Sequence, residues 1–165
     1  MRIIPSLIAA FLLVMFIALS GYASMDQFAG RWTNVDPNTR GITTMEIGVT
    51  GASASVHAWG KCTPTDCDWG SVSSYAFAPD VSSDIAGQAM ALMAVFDAGF
   101  SDTTLFIKPV GNGLSVQSFT HFKDSSGRSN YVSTYSFSRS FTKTSINITK
   151  TLVSARLPLL EVVKK

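Results

Sequence analysis

The chain has few of the residue types that usually carry catalysis or metal binding. Its 165 residues include two histidines, His57 and His121, and two cysteines, Cys62 and Cys67. The C-x4-C spacing differs from that of zinc knuckles, and no second Cys or His pair follows it. Neither histidine has a neighbouring nucleophile and orienting group in the pattern of a catalytic triad. We therefore predict a non-enzymatic protein without a catalytic site, metal or cofactor.

Charge is also scarce, at 15% of residues against 46% hydrophobic ones, and it is unevenly distributed. Residues 24–140 carry seven basic and ten acidic side chains, whereas residues 141–165 carry five basic and one acidic. Nucleic-acid-binding domains present a basic face to the phosphate backbone. The acidic balance of the main region therefore excludes nucleic acid as its expected partner.

One stretch lacks charge altogether. Residues 3–19 are almost all apolar, and Arg2 precedes them. The small residues Gly21 and Ala23 occupy the minus-three and minus-one positions of a cleavage site after Ala23, which is the pattern of a secretory signal peptide. We predict that residues 1–23 are this leader and that the protein is secreted or periplasmic. The alternative is an uncleaved membrane anchor over residues 3–19, with the remainder outside the cytoplasm.

The two cysteines are compatible with export. An oxidising compartment favours a bridge between Cys62 and Cys67, which would close a short ring at the tip of a hairpin. If these cysteines face each other, Gly60 lies opposite Trp69. Trp59 then lies opposite Gly70, so that each indole packs over the bare backbone of a glycine.

Short runs with alternating polar and apolar residues fill the region between residues 28 and 140. Met45, Ile47 and Val49 share one face of such a run, which is typical of a half-buried strand. We predict an all-β domain over residues 24–140, an eight-stranded antiparallel up-and-down meander barrel that leaves no open edge. A β-sandwich is the alternative. The runs are 30–35, 42–49, 54–61, 68–78, 89–98, 103–110, 114–123 and 130–140.

One run is ambiguous because alanine and methionine, which favour helices, dominate residues 85–96. We predict a helical turn over residues 82–87 and a strand from residue 89, since a closed barrel of eight strands needs this run.

Two distant pieces of the sequence form a recognisable pair. Gly30 and Trp32 open the first run, and Arg139 closes the last. This pair resembles the signature of the calycins, the lipocalin and avidin barrels. The resemblance implies that the arginine lies across the indole at the closed end of the barrel. It also places Asn34 where avidins have a ligand-contacting asparagine, although the absence of tryptophan after Trp69 argues against biotin.

The interior of an eight-stranded barrel is wide enough for one small ligand. We therefore predict that this lipocalin-like barrel binds a small apolar or amphipathic molecule. The alternative is a barrel filled by its own side chains, acting as a protein-interaction or inhibitor module through the disulfide hairpin or the C-terminal segment. The candidate ligand-binding residues are Asn34, Trp59, Trp69, Tyr75, Phe119 and Tyr135.

The C-terminal segment, residues 141–165, departs from the strand pattern. Its apolar residues recur at steps of three and four, Pro158 interrupts any single helix, and basic residues are frequent. We predict either a disordered tail or a basic amphipathic segment that contacts a membrane surface or a protein partner.

Overall fold

Antiparallel strands make up most of residues 24–140, the part of the chain that this computed structural model describes. The predicted leader (residues 1–23), the alternative anchor within it and the predicted tail (residues 141–165) lie outside the described residues. Among residues 24–140, no helix is long and apolar enough to cross a membrane.

Two short helical segments accompany eight strands. A 3-10 turn, Met25–Gln27, precedes the first strand, and the single-turn helix α1, Ile85–Gln88, lies between the fourth and fifth strands. The strands are β1 Gly30–Asn34, β2 Ile42–Thr50, β3 Ser53–Gly60, β4 Cys67–Phe77, β5 Ala91–Asp97, β6 Ser101–Val110, β7 Gly113–Phe122 and β8 Tyr131–Arg139.

The sheet closes on itself in sequence order. Each strand pairs antiparallel with the next, and β1 pairs with β8 through Trp32 opposite Arg139 and Asn34 opposite Phe137. Closure leaves none of these strands with an unpaired edge. The predicted up-and-down barrel is therefore confirmed for residues 24–140, and the sandwich alternative is wrong.

Strict alternation explains how the barrel buries its core. In β6, Leu105 and Ile107 are fully buried, whereas Phe106 between them points outward and is partly exposed. The largest fully buried side chains come from most of the strands and from the segment before β1: Met25, Phe28, Trp32, Ile42, Met45, Ile47, Val56, Leu92, Leu105, Ile107, Leu114 and Phe137.

The run with ambiguous propensity contains the predicted helical turn and the predicted strand, but both begin later than predicted. Asp84 caps α1, because its carboxylate accepts hydrogen bonds from the backbone N–H groups of Ala86 and Gly87. Strand β5 begins two residues later than predicted. Ala89 is buried, and its carbonyl accepts a hydrogen bond of 2.8 Å from the Gln27 side chain, which ties this connection to the 3-10 turn.

The 3-10 turn and the residue after it plug one end of the barrel. Met25 and Phe28 are buried, and the Phe28 carbonyl accepts a 2.8 Å hydrogen bond from Nε1 of Trp32. The Arg139 guanidinium lies 4.4 Å from the centre of the Trp32 ring, as the sequence pair predicts. It also donates hydrogen bonds to the carbonyls of Gln27 and Ala29.

Glycine is required at position 30 by its backbone conformation and by a close contact. Gly30 has a φ of 117°, which side-chain-bearing residues rarely adopt. A Cβ atom there would lie 3.0 Å from Nη1 of Arg139. The bare backbone of Gly30 therefore leaves room for the guanidinium of Arg139.

Candidate ligand-binding site

Four connections surround the opposite end of the barrel: residues 35–41, 61–66, 98–100 and 123–130. None of them inserts a plug comparable to the 3-10 turn. Two depressions open at this end, and they differ in the chemistry of their walls.

The first depression, which we call the aromatic pocket, has a volume of about 440 Å³. Thr103 and Thr120 lie at its buried floor, with their hydroxyl oxygens 3.2 Å apart. Trp69 and Phe96 meet edge to face in its wall, with ring centres 5.7 Å apart. The lining residues are Asp68, Trp69, Phe96, Asp97, Ala98, Phe100, Ser101, Thr103, Thr120, Phe122, Arg128 and Tyr131.

An irregularity in the β3–β4 ladder, and not strand alternation, turns Trp69 toward this pocket. Val72 and Ala76 face the core, and Trp69, at an odd spacing from both, joins them because the register shifts between His57 and Trp59 and Gly70 has a φ of 78°. The Trp69 indole lies against Gly60 of the neighbouring strand. A Cβ atom at Gly60 would overlap the indole. The predicted packing of Trp69 over Gly60 is therefore confirmed.

The predicted register of this hairpin is wrong. Gly60 pairs with Cys67 and Trp59 pairs with Asp68, and the ladder shifts by one residue between His57 and Trp59. A Cβ atom at Gly70 would meet nothing within 4 Å, so no indole packs over Gly70.

Arg128 covers one side of the aromatic pocket. Its guanidinium carbon lies 4.0 Å from the centre of the Phe122 ring and 5.0 Å from that of Phe100. Nε donates to the hydroxyl of Ser126 at 2.7 Å, and Nη2 donates to the carboxylate of Asp124 at 2.5 Å. The side chain is 44% exposed, so this cation sits at the mouth of the pocket and not in the core.

A lysine links two carboxylates beside the mouth. Nζ of Lys123 lies 2.7 Å from Asp97 and 2.8 Å from Asp102. These hydrogen bonds, the one to Asp102 first, raise the pKa of Lys123, and the bond from Lys123 lowers the pKa of Asp97. One ammonium therefore pairs with two carboxylates.

Two further carboxylates flank the mouth. The backbone N–H of Gly70, followed by the His57 ring, lowers the pKa of Asp68. The Ser126 hydroxyl, followed by Arg128, lowers the pKa of Asp124. At neutral pH the carboxylates around the mouth therefore outnumber the permanent cations Lys123 and Arg128, which leaves the rim negative.

The second depression is a groove of about 1030 Å³ between the β1–β2 connection and β8. Asn34 and Tyr135 line it. The Asn34 amide donates to the Ile42 carbonyl at 2.7 Å and its oxygen accepts from the Asp36 N–H at 2.9 Å, so Asn34 holds the connection in place. Because short polar side chains and loop backbone form most of this groove, we assign the ligand site to the aromatic pocket.

The structure separates the other sequence candidates from the pocket. Tyr75 is 68% and Phe119 is 44% exposed, and both lie on the outer wall. The expectation that they line the interior is wrong, because the alternate residues of their strands, such as Ala76 and Ser118, fill the inward positions. Trp69 alone among the six candidates lines the aromatic pocket.

Trp59 also lies outside the barrel. Its ring stacks on His57 at 3.9 Å with an interplanar angle of 12°, and the Arg31 guanidinium lies 5.1 Å from its centre. His57 in turn contacts Asp68 at 2.6 Å. These contacts brace the outer face of the hairpin behind the pocket wall.

Sequence reasoning left several pocket residues out of the site. Phe96, Phe122 and Tyr131 were recognisable as aromatic residues near strand ends, and the alternation of their strands would have placed them on the inner face. Arg128 lies in the β7–β8 connection, where no periodicity predicts a position. Its place over Phe100 and Phe122 follows from the loop conformation alone.

The disulfide between Cys62 and Cys67 is confirmed, with Cα atoms 5.4 Å apart. The Thr43 hydroxyl donates to Asp66 at 2.7 Å, which ties the tip to β2. A structural disulfide is typical of an oxidising compartment outside the cytoplasm.

Within residues 24–140, no group of three or more His, Cys, Asp or Glu side chains is arranged to hold a metal ion. No protein-family model and no curated protein matches the chain. The closed eight-stranded barrel is compatible with a calycin-like fold, which is the coarser level of the resemblance drawn from Gly30, Trp32 and Arg139.

Proposed function

We propose that this protein is an exported, lipocalin-like barrel that binds a small apolar or amphipathic molecule without chemical conversion. The observation that carries the proposal is the aromatic pocket of about 440 Å³ at the unplugged end of the barrel. Small-molecule sites are concave, mostly apolar and about 300–1,000 Å³ in volume, with a few polar groups that orient the ligand.

The arrangement of the walls suits an amphipathic ligand. The rings of Trp69, Phe96 and Phe122 provide apolar surface for the body of a ligand. The hydroxyls of Thr103 and Thr120 are hydrogen-bonded to each other at the floor, and charged groups lie at the mouth. The apolar part of the ligand therefore enters first and its polar part stays near the solvent.

Two separate features support export. The disulfide supports an oxidising compartment, and the sequence of residues 1–23 has the pattern of a cleaved leader. A secreted or periplasmic carrier is the version of the proposal that we favour, with a membrane anchor over residues 3–19 as the alternative.

Native mass spectrometry of protein purified from its own host tests the carrier function first. We expect a non-covalent mass that disappears on denaturation and identifies the class of ligand. A bare polypeptide that also fails to bind added octanol, monitored by tryptophan fluorescence, would contradict the proposal.

Two phenylalanines on β7 provide a matched pair for locating the site. Phe122 lines the aromatic pocket, and Phe119 lies on the outer wall. We expect Phe122→Ala to weaken octanol binding and Phe119→Ala to leave it unchanged. Equal loss of binding in both variants would place the site elsewhere or indicate general unfolding, which circular dichroism distinguishes.

The second candidate function is a protein-interaction or inhibitor module that uses the disulfide hairpin. Residues 63–66 are exposed at its tip, while the disulfide and the Thr43–Asp66 hydrogen bond hold their shape. Replacing residues 63–66 by a glycine-serine turn should abolish capture of a partner protein. In a separate form of this second function, residues 141–165 contact a membrane or a protein. Deletion of these residues tests it.

A further inference from the structure

We propose that the polar end of the ligand is an organic cation that displaces the Arg128 guanidinium from the faces of Phe100 and Phe122. This inference rests on the proposed carrier function and specifies the ligand class of the same pocket. Three observations support it: the position of Arg128 at the mouth, the location of Arg128 in the β7–β8 connection, and the negative charge around the mouth.

The aromatic pocket already accommodates a cation. The Arg128 guanidinium lies 4.0 Å from the Phe122 ring centre and 5.0 Å from that of Phe100, both within the range of a cation–π contact. These two rings thus form a surface for a flat or rounded organic cation at the mouth, next to the apolar wall formed by Trp69 and Phe96.

The resident guanidinium is held locally. Its hydrogen bonds go to Ser126 and Asp124, which belong to the same connection between β7 and β8. The side chain is 44% exposed, so it can move into solvent without breaking a bond to a strand. When it leaves, the Asp124 carboxylate becomes available to pair with an incoming cation.

The charge around the mouth favours a cation over an anion. Asp68 and Asp97 line the aromatic pocket, and Asp102 and Asp124 adjoin it through their bonds to Lys123 and Arg128. An anionic head group would meet two carboxylates of the lining, whereas a cationic one gains both the carboxylates and the exposed ring faces.

Three probes that share one apolar chain test the inference: octyltrimethylammonium, octanol and octanoate. Tryptophan fluorescence measures binding. The Trp69→Phe variant shows how much of the fluorescence change comes from Trp69. We expect octyltrimethylammonium to bind most tightly and octanoate least tightly. If octanol binds but the cation binds no better, the cation inference fails and the carrier function stands; if no probe binds, both fail.

The Arg128→Ala variant gives the sharpest test, because a site for cations should then bind its ligand more tightly, whereas a site for anions should bind its ligand less tightly. Removal of the competing guanidinium should raise the affinity for octyltrimethylammonium about 2- to 30-fold, the range of one cation–π contact. An unchanged or lower affinity for the cation, or a marked loss of octanoate binding, would overturn the proposal.

Carboxylate variants complete the test. We expect Asp97→Asn to weaken binding of the cationic probe more than it weakens binding of octanol, since Asp97 also lines the pocket. Asp80→Asn is the control, because Asp80 lies in the β4–β5 connection at the plugged end of the barrel. Equal effects of Asp97→Asn and Asp80→Asn would show that the rim charge does not contribute.

Discussion

At each end of the barrel an arginine guanidinium lies over an aromatic ring, but different hydrogen bonds hold the two arginines in place. At the plugged end, Arg139 lies 4.4 Å from the Trp32 ring centre, and at the open end, Arg128 lies 4.0 Å from that of Phe122. Arg139 belongs to a strand and donates to the carbonyls of Gln27 and Ala29, far away in sequence. Arg128 belongs to a loop and bonds to its own neighbours.

This difference shows that the cation–π contact alone does not decide what an arginine does. Arg139 joins the last strand to the segment before the first strand, so its loss affects closure of the barrel. The contacts of Arg128 close a small turn, so its loss uncovers aromatic surface and leaves the barrel intact. The hydrogen bonds of each guanidinium decide whether its contact with the ring is structural, as for Arg139, or can be displaced, as for Arg128.

The largest expected effect is at the plugged end. Trp32→Ala should lower the free energy of unfolding by about 3–5 kcal/mol, because the indole is 2% exposed and truncation leaves a cavity. Denaturant unfolding measures the change. Trp59→Ala on the outer wall is the control, and we expect a much smaller loss there. Equal losses in the two variants would refute the special role of the plugged end.

The arginine pair provides the next prediction. Arg139→Ala should cost about 2–4 kcal/mol, since it removes a cation–π contact and leaves two carbonyls without their charged donor. Arg128→Ala should cost less than about 1 kcal/mol, because the guanidinium is half exposed. Thermal and denaturant unfolding of both variants test the comparison, and similar costs would remove the distinction between the two ends.

The disulfide stabilises the hairpin at the open end to a smaller degree. Replacing Cys62 and Cys67 together by serine should lower the free energy of unfolding by about 1–3 kcal/mol, because so short a ring restricts the unfolded chain little. Unfolding of the parent with and without a reductant gives an independent value. A loss as large as that of Trp32→Ala would mean that the hairpin is part of the main core.

The smallest predicted effect is a dependence on pH, to which three carboxylates at the open end contribute. The pKa values of Asp68, Asp97 and Asp124 are lowered in the folded protein. The unfolded state therefore binds more protons below a pH of about 4, so the stability that these groups add is present above that pH and is lost as the pH falls further.

Melting temperatures of the parent and of the Asp97→Asn variant between neutral and acidic pH measure this contribution. We expect the variant to lose less stability than the parent on acidification. An identical pH dependence would show that Asp97 does not contribute to it.

The fold was more predictable than the site for a physical reason. Alternation in runs such as 42–49 and 103–110, with turn residues between them, was enough to predict eight strands and their meander order. Inward and outward residues alternate along each strand, so a register shift exchanges the two faces. Tyr75 and Phe119 were assigned to the interior because they are aromatic, although the residues that alternate with them along β4 and β7 are the ones that face the core.

The hairpin shows the same limit on a smaller scale. The disulfide and the contact of Trp69 with Gly60 were predictable from the sequence, because small and large residues alternate around two cysteines. The shift between His57 and Trp59 was not, since an irregularity in a ladder depends on how both strands pack against the rest of the sheet.

The sequence by itself determined the strand pattern, the bridge between Cys62 and Cys67 and the pairing of Trp32 with Arg139. Each of these depends on local periodicity or on residue types that have few alternative partners. The tertiary structure decided which residues plug the closed end, which aromatic residues form the pocket and where Arg128 lies. Those features depend on loop conformations and on contacts between distant strands, which exist only after the barrel has closed.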